Sequence, residues 1–487
     1  MNKVIIIGAG IAGLAAGILA QQNGFETEIF EMHDLPGGLC TAWKRRGYTF
    51  DGCIRYVYGS AEGKMLSALM RRIGAAGTRE YIHHEESIRI ETRDGTSVII
   101  YCDLDKLQPH LIDLSPEDEK QIRGLIRAAR SMSRADIPFG MPSGLRDIIP
   151  AIMHFLPPLM RYSRVSLKDF ADGLKDPALR EAFLHYYGYA KLDDLPLFVL
   201  IMDLAEHHSR NAGWPLGGSL ELMRDVEKEY ISAGGKVHYG FRVERILTTG
   251  GRASGVLAGG REFPADSVIC AADAYTALEG MLGGGFTPQK YSEAFRSEKP
   301  ITPVIQVSLG ISSGLSGIPH NQAIALGEPI EAAGIKYDWL SFRHYGYDRS
   351  MAPEGKSVIV AMLETDFSVW DNLGNDKKRY AAEKESIASQ VIARLDERYP
   401  GLKEKVEVCD VATPLTYRRY TGNREGSPQG WQTTVGHMGN FPNKLPELKN
   451  FYMAGQWVRR GGGLPGGAMS AMSAVKALCK DSGRRFK

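Results

Sequence analysis

Six residues near the start of the chain, Gly8-Ala9-Gly10-Ile11-Ala12-Gly13, have the types and spacing to hold a pyrophosphate. Glycine at 8 permits a tight turn, the bare backbone at 10 can touch phosphate oxygens, and glycine at 13 lets a helix pack closely on a sheet. The helix beginning there would offer free N–H groups to the anion. Glu31, eighteen residues past Gly13, stands where a carboxylate accepts hydrogen bonds from the hydroxyls of an adenosine ribose and repels a 2′-phosphate. The elements that must position these groups are a buried strand at Val4-Ile5-Ile6-Ile7, an apolar helix, and a closing strand at Glu28-Ile29-Phe30-Glu31, the order of a dinucleotide-binding unit. Residues 4–20 also resemble a signal-peptide core. The short n-region Met1-Asn2-Lys3, the lack of a small-residue cleavage site before Gln21-Gln22-Asn23, and a length below the roughly 20 residues of a membrane span favour buried strand and helix.

The segment after Glu31 bears on which dinucleotide is held. Met32 follows directly, and Pro36-Gly37-Gly38-Leu39 places a second stretch of bare backbone a few residues beyond the ribose acid. FAD needs that second approach because it extends past its pyrophosphate into a ribityl chain and a flavin ring, whereas NAD does not. Non-covalent FAD is therefore the expected cofactor.

Near the other end, Leu448 to Met453 reads as a strand closed by Ala454-Gly455-Gln456. The turn Gly461-Gly462-Gly463-Leu464-Pro465-Gly466-Gly467 then opens a helix expected from about Ala468 to Leu478. Together with GxGxxG, Glu31, Pro36-Gly37-Gly38 and Gly47-Tyr48-Thr49-Phe50-Asp51-Gly52, this block resembles the FAD flavoproteins typified by phytoene desaturases, carotenoid cis-trans isomerases and retinol saturases. The resemblance runs from end to end. It implies that the C-terminal helix aims its N-terminus at the pyrimidine end of the flavin, where its partial positive charge would stabilise charge near N1 and O2. Many relatives place an acid after the glycine at 455; Gln456 here makes that ribityl contact an amide hydrogen bond. The resemblance also implies that Val243 meets the adenine through its backbone and that Ala271-Ala272 runs near the pyrophosphate. Those residues belong to a resumed nucleotide segment: Trp214 to Ser219, a helix from Leu220 to Ser232, Gly234-Gly235-Lys236-Val237, Val243 to Ile246, and Ala265 to Ala272. An unrelated βαβ crossover is the alternative. The full expected cofactor set is Gly8, Ala9, Gly10, Ile11, Ala12, Gly13, Glu31, Met32, Gly37, Gly38, Leu39, Val243, Ala271, Ala272, Gly455, Gln456, Gly463, Leu464, Pro465, Gly466, Gly467 and Ala468.

The expected fold class is α/β: a Rossmann-like FAD-binding domain of the glutathione-reductase/amine-oxidase type, interleaved with an α+β substrate domain. The first would use residues 1–75, 212–284 and 436–487; the second a helical insert, 76–211, and a strand-rich part, 285–435. A chain of 487 residues exceeds what one core holds. With 59 Lys plus Arg against 57 acids it is nearly neutral, which argues against nucleic-acid binding. Its six cysteines show no CxxC or paired spacing, so free thiols in a reducing compartment, no metal and a cytoplasmic location are expected. Residues 145–165 combine apolar surface with Arg146, Arg161 and Arg164. Either this stretch packs on the insert's own core or it dips peripherally into a membrane interface.

Chemistry would come from the flavin, which can remove hydride at N5 or lend electrons to a conjugated system. The candidate catalytic residues are Arg55, Tyr56 and Tyr417, with Asp51 as a possible partner of Arg55. The leading expectation is an oxidoreductase acting on a hydrophobic isoprenoid or polyene by desaturation, saturation or isomerisation, its electron donor or acceptor open. The alternatives are an amine-oxidase-type flavoenzyme and a non-catalytic lipid escort on the same fold.

Overall fold

In the computed structural model, which describes residues 2–77, 79–135, 149 and 151–487, the first strand is Lys3–Ile7 and lies in the interior of a mixed nine-stranded sheet. Its residues Val4, Ile5 and Ile6 are fully buried because both faces of the sheet are covered. Five strands run parallel in the order Lys236–His238, Glu26–Phe30, Lys3–Ile7, Ser267–Cys270 and Leu448–Met453. Strand order reverses on either side of Lys3–Ile7, so a crevice opens at the carboxyl ends of Lys3–Ile7 and Ser267–Cys270. Beyond Leu448–Met453 the strands Val243–Thr249, Arg252–Ala258 and Arg261–Pro264, antiparallel to one another, and the short Lys444–Leu445, antiparallel to Leu448–Met453, complete the sheet.

The helix Ile11–Gln22 is apolar on almost every face, which suits an element covered by the sheet on one side and by helices on others. Helix Gly218–Ser232 packs on it through Tyr230, whose ring occupies the place a side chain at Gly17 would need, 2.4 Å from that absent Cβ. The Tyr230 hydroxyl is 2.9 Å from Thr27 Oγ1, tying this helix to the second strand. Helix Gly463–Asp481 packs against Ile11–Gln22 as well; it starts five residues before the expected Ala468, so the glycine turn is its first turn. Pro465 needs no N–H there.

The second sheet has seven strands, in the order Val406–Ala412, Val304–Ile311, Ser357–Glu364, Ile335–His344, Asn321–Ala332, Glu86–Glu91 and Ser97–Tyr101. Its last two strands come from the segment expected as a helical insert. Alternating burial along Glu86–Glu91 shows why: Ile88 and Ile90 face the core while their neighbours are partly exposed. The insert's helices, including Glu119–Ser133 and Leu197–His208, pack on those strands around a core of their own. Among the described residues no helix is long and apolar enough to cross a membrane. Of the stretch 145–165, residues 145–148 and 150 lie outside the described set. The remainder packs one side inward, with Phe155 edge-on to Phe198 at 5.3 Å, and leaves Met153 61% and Met160 72% exposed.

Candidate active site

The three glycines of the first turn do three different things. Gly8 has φ +97°, a conformation other residues rarely adopt. A Cβ at Gly13 would lie 1.8 Å from the Gly8 carbonyl oxygen, so the helix sits on the turn only because the side chain is missing. Gly10 differs: its φ is −71°, and a Cβ there would meet only the Gly37 oxygen, at an ordinary 3.7 Å. Packing does not require a glycine at 10. Its bareness instead keeps a groove open, and Gly37 and Gly38 form the opposite wall: Gly37 donates to the Ala9 carbonyl at 2.9 Å, and a Cβ on Gly38 would lie 3.6 Å from the Gly10 Cα.

The remaining predicted residues gather around this groove. Ala271 donates to Ile7 at 2.9 Å, and its carbonyl oxygen lies 3.6 Å and 3.7 Å from where Cβ atoms on Gly8 and Gly455 would stand; Ala272 follows it. Gly467 abuts Ile11, with 2.7 Å from its absent Cβ to Ile11 Cγ2, and Gly455 approaches Ala12. The amino ends of helices Ile11–Gln22 and Gly463–Asp481 therefore converge, and both carry partial positive charge. Gly463, Leu464, Pro465, Gly466 and Ala468 make up the start of the second helix, and Gln456 is half-buried just before it. Glu31 is buried and accepts Ala9 N–H at 2.7 Å on one oxygen and His33 N–H at 2.8 Å on the other. Burial raises its carboxyl above the usual range while those hydrogen bonds oppose the rise. Each oxygen keeps a second lone pair, which suits a ribose diol. Glu31 donates its N–H to His238, and Phe241 donates to Glu31, so the strand beginning at Val243 leaves from beside the acid; Met32 follows Glu31, and Leu39 packs on the core beside Gly38. Glycine-lined groove, two helix amino ends and a buried acid together fit an extended dinucleotide.

A profile of the family described as flavin containing amine oxidoreductase matches residues 11–479. The chain belongs to that family. It is a flavin oxidoreductase with FAD as cofactor. Along 100% of its length it is 23% identical to a prolycopene isomerase of Arabidopsis thaliana, covering 84% of that protein. Along 99% it is 24% identical to a lycopene-forming phytoene desaturase of Pseudescherichia vulneris, covering all of it. Among solved structures, an oxidoreductase from Methanosarcina mazei superposes with a TM-score of 0.65 at 19% identity, over 97% of this chain and 100% of that one. Cyclohexylamine oxidase from Brevibacterium oxydans gives 0.62 at 14% identity, over 99% and 100%. These agree with the expected fold class.

The three catalytic candidates of this flavin oxidoreductase do not share one cluster. Arg55 and Tyr56 reach a polar pocket of about 30 Å³, also lined by His84, His207, His320 and Arg343. Arg55 donates to the Tyr187 carbonyl at 3.0 Å rather than to Asp51. Asp51 is a latch: it accepts Ser219 N–H at 2.6 Å, Ser219 Oγ at 2.7 Å and Cys53 N–H at 3.0 Å, holding the amino end of helix Gly218–Ser232. Tyr417, on helix Pro414–Thr421, donates to Gln306 Oε1 at 2.8 Å, and Gln306 in turn donates to the Asp51 carbonyl at 2.9 Å. Burial pushes the Tyr417 hydroxyl far up, so it keeps its proton and stays a hydrogen-bond donor.

Sequence reasoning missed Asp203, which lies behind the pocket-lining Tyr56. It is 1% exposed and accepts the hydroxyls of Tyr56 at 2.6 Å, Tyr186 at 2.9 Å and Tyr58. The signal was present: a single acid at the end of Leu197-Phe198-Val199-Leu200-Ile201-Met202. The stacked imidazoles of His84 and His320, 3.6 Å apart, were also missed. Burial holds His84 down at about 4 and His320 well below the ordinary value, so both are neutral at pH 7. Among the described residues no group of three or more His, Cys, Asp or Glu side chains is arranged to hold a metal.

Proposed function

We propose that this chain acts on a hydrophobic isoprenoid or polyene, by desaturation, double-bond saturation or redox-neutral isomerisation at flavin N5. The observation that carries the reading is the end-to-end likeness to prolycopene isomerases and phytoene desaturases, which extends through the substrate-side sheet and not only the nucleotide segments. Non-covalent FAD would lie with its pyrophosphate along Gly8 to Gly13, its ribose on Glu31, Gly37 and Gly38 against its other side, and the amino end of helix Gly463–Asp481 beneath the pyrimidine. Bound there, the flavin supplies hydride or electron exchange with an unsaturated carbon chain. The two helix amino ends favour negative charge on the cofactor. Around the pocket, the Asp203 carboxylate fixes Tyr56, Tyr58 and Tyr186, so the Tyr56 ring is held rigidly next to Arg55. A volume of about 30 Å³ admits only a small end group there, and Arg55 with Arg343 would recognise a carbonyl or carboxylate terminus. The exposed Ile152, Met153, Leu156 and Met160, flanked by Arg161 and Arg164, suit a membrane surface as the source of such a substrate.

The test is an anaerobic screen of purified, FAD-loaded enzyme against cis-polyenes, retinoids and amines, reading flavin absorbance and product composition. Conversion of a polyene with no amine turnover is expected. Turnover of an amine with none of a polyene would replace this reading by the amine-oxidase one, and flavin retention with no turnover by the escort one. Vesicle flotation, with Met153→Asp plus Met160→Asp as the comparison, checks the membrane element: loss of flotation in the double variant is expected, and no flotation of the wild type ends it.

A further inference from the structure

The hairpin strands Ala42–Arg45 and Tyr48–Asp51 pair antiparallel with Ala42 opposite Asp51, and Gly52 N–H continues the ladder to the Thr41 carbonyl at 3.0 Å. One more step in the same register sets Cys40 opposite Cys53, and their sulfurs are 3.4 Å apart. Opposed residues of an antiparallel pair have Cα atoms about 4.5–5.5 Å apart, inside the range of about 4.4–6.8 Å that a disulfide spans. Cys40 is buried and Cys53 is exposed, and both are free thiols. Both thiols are free, as the sequence led us to expect; what the lack of a CxxC spacing did not reveal is that a hairpin brings the two together.

We propose that Cys40 and Cys53 form a reversible thiol–disulfide centre, distinct from the flavin, that exchanges with small disulfides and thiols. The exposed Cys53 sulfur attacks one sulfur of a small disulfide R–S–S–R; that bond breaks, a Cys53–S–S–R bond forms, and the first R–SH leaves with the Cys53 proton. The buried Cys40 sulfur then attacks the Cys53 sulfur, forms the Cys40–Cys53 bond and releases the second R–SH with its own proton. The two cysteines are oxidised by two electrons and the small disulfide is reduced to two thiols; two thiols reverse the sequence. The hydrogen bond to Cys53 and burial push the Cys40 thiol well above its ordinary range, which leaves the exposed partner to open the exchange. The bond would tie the loop carrying Gly37 and Gly38 to the segment that carries Arg55 and Tyr56, coupling cofactor loop and polar pocket to the thiol balance around the protein.

The test needs no substrate, so its failure is separable from failure of the polyene reading. FAD-loaded enzyme is incubated with excess hydroxyethyl disulfide without denaturant, remaining thiols are alkylated, and intact mass and peptide maps are read. Expected are the loss of the Cys40 and Cys53 thiols, no hydroxyethyl adduct at either position, whatever the exposed Cys409 takes up, and a Cys40–Cys53 linked peptide that dithiothreitol reverses. Cys40→Ser should trap the adduct on Cys53, and Cys53→Ser should leave Cys40 unmodified. A stable adduct on wild-type Cys53, a link to another cysteine, or two unchanged thiols after prolonged exposure would overturn the proposal, and the wild-type measurement stands even if a variant folds poorly.

Discussion

The groove between the two helix amino ends and the pocket in front of Asp203 are built from opposite materials. In the groove the chemistry belongs to the backbone: Gly8 turns, Gly13 lets the helix sit on its carbonyl, and Gly10 and Gly38 leave space. In the pocket it belongs to buried ionisable side chains drawn from four separate stretches, around 55–58, 84–87, 186–207 and 320–347. A backbone site depends on side chains that are absent, at Gly13 above all. A side-chain site loses stability whenever one member of its hydrogen-bond set is removed.

The largest effect should come from Gly13→Val. With 1.8 Å between the added Cβ and the Gly8 oxygen, the helix must lift off the turn, and purified protein should carry no flavin by its absorbance ratio; wild-type flavin content would break the contrast. Asp203→Leu should instead keep the flavin while losing about 4 kcal/mol of stability in urea unfolding, because three tyrosine hydroxyls, that of Tyr186 buried, lose their acceptor. Acid supplies a graded version of the same test. Unfolded His84 takes a proton near its ordinary 6.5 whereas the folded protein refuses it until about 4. Stability therefore falls as pH drops from about 6.5 towards 4, by up to about 3 kcal/mol. His84→Gln should reduce that slope, with His320, His207 and His344 keeping their share of it, and an unchanged slope would remove His84 from the account. The smallest effect is expected from Tyr417→Phe: about 1 kcal/mol for the lost bond to Gln306, with turnover reduced less than tenfold. A drop of about a hundredfold or more would give Tyr417 a proton-transfer role after all.

This contrast also explains what could be read from residues alone. Gly8, Gly13 and Glu31 were legible because a turn, a close helix contact and a ribose acid each demand one residue type at a fixed spacing. The strand Leu448–Met453 was legible to the residue, since a buried parallel strand is a bounded apolar run. The pocket was not. Asp203, Arg343 and His320 act together only after the second sheet forms, and no local spacing encodes that sheet's order. The strands Glu86–Glu91 and Ser97–Tyr101 form a local antiparallel hairpin across Arg93-Asp94-Gly95, a signal the sequence did carry and sequence reasoning missed; only the pairing of Glu86–Glu91 with Asn321–Ala332 is remote. Cys40 and Cys53 show the intermediate case: a local hairpin register, once drawn, would have revealed them.

The position of Leu448–Met453 inside the first sheet, between Ser267–Cys270 and Arg252–Ala258, has a consequence for biogenesis. A ribosome makes the hydrophobic strand Lys3–Ile7 early and the strand that completes its sheet very late, so an unfinished, sticky β-edge must survive most of translation. Contacts so remote in sequence slow folding and favour aggregation. Newly made protein should therefore depend on chaperones, and an early supply of flavin cannot rescue it, because half of the groove has not yet been synthesised.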